Sequence, residues 1–297
     1  MSKRKQSHRM KEIELRRKDE TDIIVLHEYR VCGTSVVPVL EFPLLESTGI
    51  INHCFSTRLG GCSSGIYESM NFSYSRGDKV ECVDENYRRI AKVLGADAGD
   101  FVCTDQTHTT NVLRVGKAEK GYGVTRAKPY TDIDGLITNE PGVVLSTFYA
   151  DCVPLYFVDP VKKAIGLSHS GWRGTVNRMG QKTLEAMKEA FGTNPKDVYA
   201  AIGPSICQEC YEISQDVAEH FYHEFEGHGE EILISKGNGK YQLDLWKSNE
   251  IVLMDAGITK NHLAVTNVCT CCNEKLLFSH RASKGQRGNL GAFLCLR

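Results

Sequence analysis

The chain has 297 residues, of which 41% are hydrophobic and 25% charged, an ordinary composition for a globular protein with a large core. Its 36 Lys and Arg residues nearly balance its 37 Asp and Glu residues, which argues against general electrostatic attraction to nucleic acid or to a membrane surface. No run of about 20 apolar residues occurs, so no transmembrane helix is predicted.

The N-terminal segment is basic at its start, and no apolar stretch follows it, so we expect no secretory signal and a cytoplasmic location. Residues 1–35 are interpreted as a charged N-terminal extension, and residues 36–297 as a single catalytic domain. Twelve cysteines is a high count. In a cytoplasmic protein, free thiols, metal ligands or a catalytic thiolate are more typical than disulfides.

The first half of the chain is predicted to form short strands and one helix. Alternating apolar and polar residues indicate the strands, and Tyr87, Ile90 and Leu94 fall on one face of the helix. The predicted elements are strands at 23–26, 36–40, 52–57, 101–103 and 112–115, and a helix at 84–94.

The second half carries the densest strand and helix patterns. Apolar runs at 134–138, 143–149 and 154–158 are too short for helices and continuous enough to be buried on both faces. One apolar stripe predicts a helix at 175–191. Further predicted elements are a strand at 197–202, helices at 215–225 and 245–256, and a strand at 262–265. One compact α/β domain is the simplest interpretation.

Three chemically reactive side chains stand at predicted strand ends: His108, Cys152 and His169. Side chains at strand ends can converge on one rim of a sheet, and ligands of α/β proteins bind there. Two imidazoles and a thiolate are suitable zinc ligands that leave a fourth position open. Considered one at a time, such residues are also common as polar loop histidines and small buried cysteines.

Several motifs resemble those of the YfiH/LACC family, whose members carry names such as polyphenol oxidase, laccase-domain protein and purine nucleoside phosphorylase. The similar segments are D-C-V-P-L at 151–155, S-H-S-G-W-R-G at 168–174, I-G-P-S-I at 202–206, and Q-x-H-x-x-x-V at 106–112. The resemblance covers roughly residues 50–297. The chain departs from the pattern at Thr109, where many relatives have glycine, and at Ala282, where the family has a second arginine.

This resemblance implies a layered α/β fold with mixed β-sheets flanked by helices, and it implies that His108, Cys152 and His169 are the zinc ligands and catalytic residues. It also implies phosphorolysis of adenosine, inosine, guanosine and methylthioadenosine, with adenosine deaminase activity. The expected partners are therefore purine nucleosides and phosphate, with no nucleic acid and no membrane. The oligomeric state is left open.

Substrate contacts are predicted at further positions. Arg58, beside a Gly-Gly pair, and Arg173, at a predicted helix entrance, are candidates for binding phosphate, and Asn71 is expected to line the same pocket. Alternatively, Arg173 packs on the tryptophan before it. For deamination by a metal-activated water, Asp151 or Glu212 could act as the acid/base partner.

Other functions remain open at the sequence level. One is a copper-dependent polyphenol oxidoreductase using Cu²⁺, although ten scattered histidines are few for a multicopper enzyme. A second is a Cys-His hydrolase with Cys152 as nucleophile, acting on another substrate such as a cell-wall precursor. A third is a zinc-stabilised binding module. Separately, the CxxC pair Cys207/Cys210 and a CxC within C-T-C-C at 269–272 have near zinc-site spacing, with buried free thiols as the alternative.

Overall fold

The computed structural model describes residues 14–31 and 35–297. The strands of these ranges are β1 Val25–Val31, β2 Ser35–Glu41, β3 Ile51–Ser56, β4 Phe101–Cys103, β5 Val112–Arg114, β6 Gly135–Thr138, β7 Val144–Tyr149, β8 Val153–Asp159, β9 Ala164–Ser170, β10 Tyr199–Ile202, β11 Glu212–Ser214, β12 Leu233–Gly237, β13 Lys240–Leu243, β14 Leu263–Val265 and β15 Leu290–Leu296. The α-helices are α1 Pro43–Glu46, α2 Val80–Leu94, α3 Trp172–Val176, α4 Met179–Phe191, α5 Gln215–Glu224, α6 Gly229–Ile232 and α7 Leu245–Asp255.

Two six-stranded sheets and one small sheet organise the described residues. The first sheet has the order β1-β2-β3-β15-β7-β4, and the second has the order β14-β10-β8-β9-β6-β5. A three-stranded sheet has the order β11-β13-β12. Most neighbouring strands are antiparallel, but β4 pairs with β7, β5 with β6 and β10 with β14 in parallel. The predicted α/β class with mixed sheets is confirmed.

The main core lies between the two large sheets. Phe55 and Leu294 of the first sheet and Tyr156 and Leu167 of the second belong to one buried apolar cluster. Helix α2 covers the outer face of the first sheet, and helices α4 and α7 cover the outer face of the second. Strands β8 and β9 are therefore buried on both faces, and every residue of both strands is buried. This position explains the continuous apolar run predicted at 154–158.

The predicted helix at 175–191 is interrupted, so its continuous form was wrong. Helix α3 ends at Val176 and α4 begins at Met179, because Arg178 between them has a φ of 57°, which does not continue a right-handed helix. The Arg178 guanidinium pairs with Glu224 at 3.0 Å and Asp255 at 2.6 Å, which ties this break to α5 and α7.

Other elements have no counterpart among the predicted ones. The small sheet β11–β13 was missed because its strands are short and largely exposed, so they show no apolar run. Strand β15 was noted only as an apolar segment, yet it lies in the middle of the first sheet between β3 and β7.

The boundary predicted at residue 35 stays a prediction. Within the segment 1–35, strand β1 pairs with β2 along its whole length, so residues 25–31 are part of the first sheet. Residues 1–13 and 32–34 lie outside the described residues, and so does the start of the short helix that the charged segment suggested. None of the described helices combines the length and the apolar composition needed to cross a membrane.

Candidate active site

The structure brings together the three residues that the sequence singled out. His108 lies in the loop after β4, Cys152 in the turn between β7 and β8, and His169 near the end of β9. Strands β8 and β9 are antiparallel neighbours that pair Pro154 with His169, so the turn carrying Cys152 lies beside that histidine. The three potential ligand atoms lie within 4.8 Å of one another, and Cys152 Sγ is 3.9 Å from His108 Nε2.

A buried carboxylate, Asp134, holds both histidines in place. Its Oδ1 accepts a hydrogen bond from His169 Nδ1 at 2.7 Å, which puts the proton on Nδ1 and leaves Nε2 free to bind a ligand. The same carboxylate accepts the backbone N–H groups of Thr107, His108 and Thr109 at 3.1, 3.2 and 2.9 Å. Burial alone would raise the pKa of Asp134, but these hydrogen bonds and His169 lower it. Asp134 therefore stays ionised and fixes the His108 loop, where His108 has a φ of 67°.

Sequence reasoning missed Asp134, although it begins a segment predicted as a strand. The only local signal is an acidic residue at the entrance of an apolar run. Its partner His169 is 35 positions further along the chain, and only the antiparallel pairing of β6 with β9 brings them together.

The charges of the cluster favour a deprotonated sulfur. Burial would raise the pKa of the Cys152 thiol above its ordinary value of 9.0, but the neighbouring His169 and His108 lower it to about 6. Burial would lower the pKa of His169, but the Cys152 sulfur and the Asp134 carboxylate raise it to about 9. A thiolate is the form of cysteine that binds metals and attacks electrophiles.

The space between the three side chains suits one metal ion. A Cβ atom at Gly171 would lie 2.8 Å from His108 Cδ2 and 3.2 Å from Cys152 Sγ, so glycine is needed there for the ligands to approach one another. Two imidazole nitrogens and one thiolate, with Asp134 behind one imidazole, form a donor set of the kind that holds a divalent metal with one position open.

A cavity of about 510 Å³ opens beside this cluster. All three residues of the cluster line it, together with aromatic side chains that include Phe72, Tyr74 and Phe148. Gln106, which belongs to the family pattern, fixes Phe148: its Oε1 accepts the Phe148 N–H at 2.7 Å and its Nε2 donates to the Phe148 carbonyl at 2.8 Å.

Cationic side chains also line the cavity: Arg76, Lys128 and Arg287. Lys128 is paired with Asp105 and donates to the Thr104 carbonyl at 2.9 Å. Arg287 differs, because its Nε is buried and has no hydrogen-bond partner among the described residues. Burial and the charge of Arg76 lower the pKa of Arg287 to about 10. Two like charges with an unused donor form a site that an anion would stabilise.

The residues predicted to contact substrate lie elsewhere. Arg58 donates to the carbonyls of Glu68 and Glu274 at 2.8 and 2.9 Å and stacks on Phe278, on the wall of a separate cavity of about 210 Å³. Its contacts favour a structural role, and its predicted role in binding an anion remains a prediction.

Asn71 and Arg173 are likewise not among the side chains lining the large cavity. Asn71 is buried and binds the backbone N–H groups of Ser73 and Asn289 at 3.1 and 2.8 Å, which orients the chain just after Arg287. The Arg173 guanidinium is exposed and lies 4.3 Å from the Trp172 ring centroid, in the packing arrangement that was the alternative for this residue.

The two carboxylates considered as acid/base partners are engaged in other contacts. Asp151 accepts the Thr270 hydroxyl at 2.6 Å and the Arg281 backbone N–H at 2.7 Å, and its φ of 88° shapes the turn before Cys152. Glu212 is paired with Lys236 at 2.6 Å. Both contacts indicate positioning rather than proton transfer.

Comparison with known proteins identifies the family. The family model described as "Multi-copper polyphenol oxidoreductase laccase" matches residues 52–297, and the chain belongs to this family, the YfiH/LACC family indicated by its motifs. The crystal structure of the Bacillus licheniformis hypothetical protein YfiH is similar, with a TM-score of 0.83 and 30% identity, over 90% of this chain and 98% of that one.

Two relatives carry a functional name. The purine nucleoside phosphorylase YlmD of Bacillus subtilis (strain 168) is 35% identical over 247 residues, which cover 82% of this chain and 87% of the relative. The purine nucleoside phosphorylase of Deinococcus radiodurans is 37% identical over 255 residues, which cover 86% of this chain and 93% of the relative. Relatives with such names support an enzyme of this kind.

Proposed function

We propose that this protein is a zinc-dependent purine nucleoside phosphorylase that acts on adenosine, inosine, guanosine and methylthioadenosine. The observation that carries the proposal is the convergence of the His108/Cys152/His169 cluster and the Arg76/Arg287 pair on one cavity of about 510 Å³. A cavity of this size accommodates a nucleoside and a phosphate together. The names of the relatives support the same reaction.

The reaction joins two substrates at one carbon atom. An oxygen of phosphate forms a bond to ribose C1′ while the bond from C1′ to the purine nitrogen breaks. The electron pair of that bond goes to the purine, which takes up a proton. Catalysis of such a step requires that both substrates be held in contact and that charge on each be stabilised.

The phosphate is assigned to the two arginines. The unpartnered Arg287 Nε and the neighbouring Arg76 guanidinium supply positive charge and N–H donors on the cavity wall. Bound phosphate would provide the hydrogen-bond acceptors that Arg287 lacks and would separate the two like charges with an anion. The roles predicted for Arg58, Asn71 and Arg173 then become supporting ones.

The purine is assigned to the aromatic side of the cavity. A purine ring has apolar faces that stack on aromatic rings, and Phe148 is held in a fixed position for such a contact by Gln106. His108, Cys152 and His169 would hold the zinc ion at the same cavity, with Asp134 orienting His169. A bound zinc ion would supply a Lewis acid that stabilises the charge developing on the departing purine.

The test is incubation of metal-analysed protein with adenosine or inosine, with and without phosphate, followed by chromatography. We expect release of the free base that requires phosphate and disappears in Cys152→Ala. The matched control is Cys54→Ala, which removes a buried thiol far from the cavity lining. Absence of base release from every purine nucleoside tested, by protein that holds its metal, would overturn the proposal.

The same incubation separates the alternatives. Inosine formed from adenosine without phosphate would assign the deaminase activity, for which the described carboxylates offer no free acid/base partner at the cluster. Turnover that survives a chelator would instead favour a Cys-His hydrolase with Cys152 as nucleophile. Oxidation of a phenol that requires added Cu²⁺ would favour the polyphenol oxidoreductase reaction suggested by the family description.

A further inference from the structure

A second cluster of metal-ligand type lies outside the cavity. The Sγ atoms of Cys207, Cys210, Cys269 and Cys272 all lie within 4.8 Å of one another. Cys210 and Cys272 are 3.6 Å apart and Cys207 and Cys272 are 4.0 Å apart, and all four are free thiols in the structure. We call these four residues the four-cysteine cluster.

The spacing of these sulfur atoms fits a tetrahedral metal ion. With metal–sulfur bonds of about 2.3 Å, two ligands of a tetrahedron are about 3.8 Å apart, which lies between the two observed separations. The compact arrangement leaves room for one ion and not for an iron–sulfur cluster with its own bridging sulfides. None of the four residues is among those lining the large cavity, so the cluster has no evident place for a substrate.

The tertiary structure reveals a motif that the sequence interpretation divided differently. The sequence suggested a CxxC pair and a CxC, but the cluster takes Cys269 and Cys272 and leaves Cys271 out. The selected pairs are therefore two CxxC motifs, Cys207/Cys210 and Cys269/Cys272, and this is the usual arrangement of a closed structural zinc site.

Backbone groups around the cluster stabilise negative charge on sulfur. The Cys269 Sγ accepts the backbone N–H groups of Cys207 at 3.2 Å and of Cys272 at 3.4 Å. The Lys18 ammonium donates to Glu209 at 3.0 Å, and its pKa is raised against the effect of burial by Glu209 and Cys207. N–H donors and a nearby cation are the surroundings expected of metal-bound thiolates.

We propose that Cys207, Cys210, Cys269 and Cys272 bind a structural Zn²⁺ ion, separate from the metal of the active site. The ion would join two segments that are 62 residues apart, which a single isolated bridge between Ser205 and Cys269 otherwise connects at this point. Zinc is assigned rather than iron because four thiolates on two CxxC motifs form the closed site that zinc occupies without redox chemistry.

Both segments contact the turn that carries the active-site cysteine. Ile206, next to Cys207, donates its N–H to the Asp151 carbonyl at 3.0 Å, and Thr270, next to Cys269, donates its hydroxyl to the Asp151 carboxylate at 2.6 Å. Asp151 directly precedes Cys152. The zinc ion would thus fix, at a distance, the turn that positions Cys152.

The test compares metal content between matched cysteine variants of the full chain. Cys210→Ser removes one of the four thiolates, and Cys271→Ser removes a thiol of the same region that is outside the cluster. We expect Cys210→Ser to hold one zinc ion per chain fewer than Cys271→Ser, measured by elemental analysis. Equal zinc content in the two variants, or iron in place of zinc, would overturn the proposal.

A second measurement covers the case in which Cys210→Ser does not fold. Cys152→Ser, which leaves all four thiolates intact, is loaded with Co²⁺, and we expect the intense absorption of tetrahedral cobalt bound by four thiolates. Its absence, or the finding by mass spectrometry that the four thiols form disulfides in the purified protein, would contradict the assignment. Neither measurement depends on nucleoside chemistry, so failure here and failure of the proposed activity are distinguishable.

Discussion

The two metal-type clusters of this protein differ in donors, in surroundings and in access. The His108/Cys152/His169 cluster offers three ligands of mixed type on the wall of a cavity of about 510 Å³. The four-cysteine cluster offers four thiolates, none of them among the residues lining that cavity. Three ligands with an open position are typical of catalytic zinc, and four thiolates are typical of structural zinc. The comparison teaches that ligand count and access separate chemistry from structure within one fold.

The largest expected effect is a reversal of phenotype between two serine substitutions. Cys152→Ser should reduce phosphorolysis to the background rate and leave thermal unfolding nearly unchanged, because the fold does not depend on that ligand. Cys210→Ser should lower the unfolding temperature by roughly 10 °C, because loss of a structural metal removes several kcal/mol of stability. Calorimetry and product chromatography on the same samples check both. If both variants lost stability equally, the division into catalytic and structural sites would be wrong.

Chelator treatment should remove the two ions in order. The open cluster exchanges ligands with solvent through the cavity, and the closed cluster has no free coordination position. We therefore expect brief treatment with a chelator to abolish activity while one zinc ion per chain remains and the unfolding temperature holds. Added Zn²⁺ should restore activity. Simultaneous loss of both ions would contradict the difference in access.

Substitution of the carboxylate behind His169 should have an intermediate effect. Asp134→Asn weakens the hydrogen bond that orients His169 and sets an amide N–H₂ against backbone donors. We expect a loss of about 10- to 100-fold in metal affinity or activity at the open cluster, the usual effect of removing such a partner. Asp132→Asn is the control, since Asp132 bonds Thr107 on the same loop without touching either histidine. Equal effects of the two substitutions would show that Asp134 only stabilises the loop.

The smallest expected effect concerns the anion and should leave both metals bound. Arg287→Met removes the charge and the unpartnered Nε, and we expect the KM for phosphate to rise by about tenfold, equivalent to about 1.4 kcal/mol. Zinc content should not change. Lys284→Met removes an exposed charge of the same loop that does not line the cavity and should leave that KM unaltered. An unchanged KM in Arg287→Met would move the phosphate away from this wall.

The sequence by itself determined the class of fold and the residues of the open cluster. Buried strands such as β8 announce themselves as continuous apolar runs, because both of their faces pack against other layers. His108, Cys152 and His169 stand in motifs local enough to be recognised without coordinates, and the structure places them together.

Only the tertiary structure decided which distant side chains act together. Asp134 meets His169 through the pairing of β6 with β9, and no local pattern marks that contact. The chain folds Arg58 against carbonyl groups and Phe278, while Arg287 lines the cavity. In the segment 269–272, backbone geometry selects Cys269 and Cys272 and leaves Cys271 out. Each of these choices depends on the direction of a side chain in three dimensions, and residue spacing alone does not contain that direction.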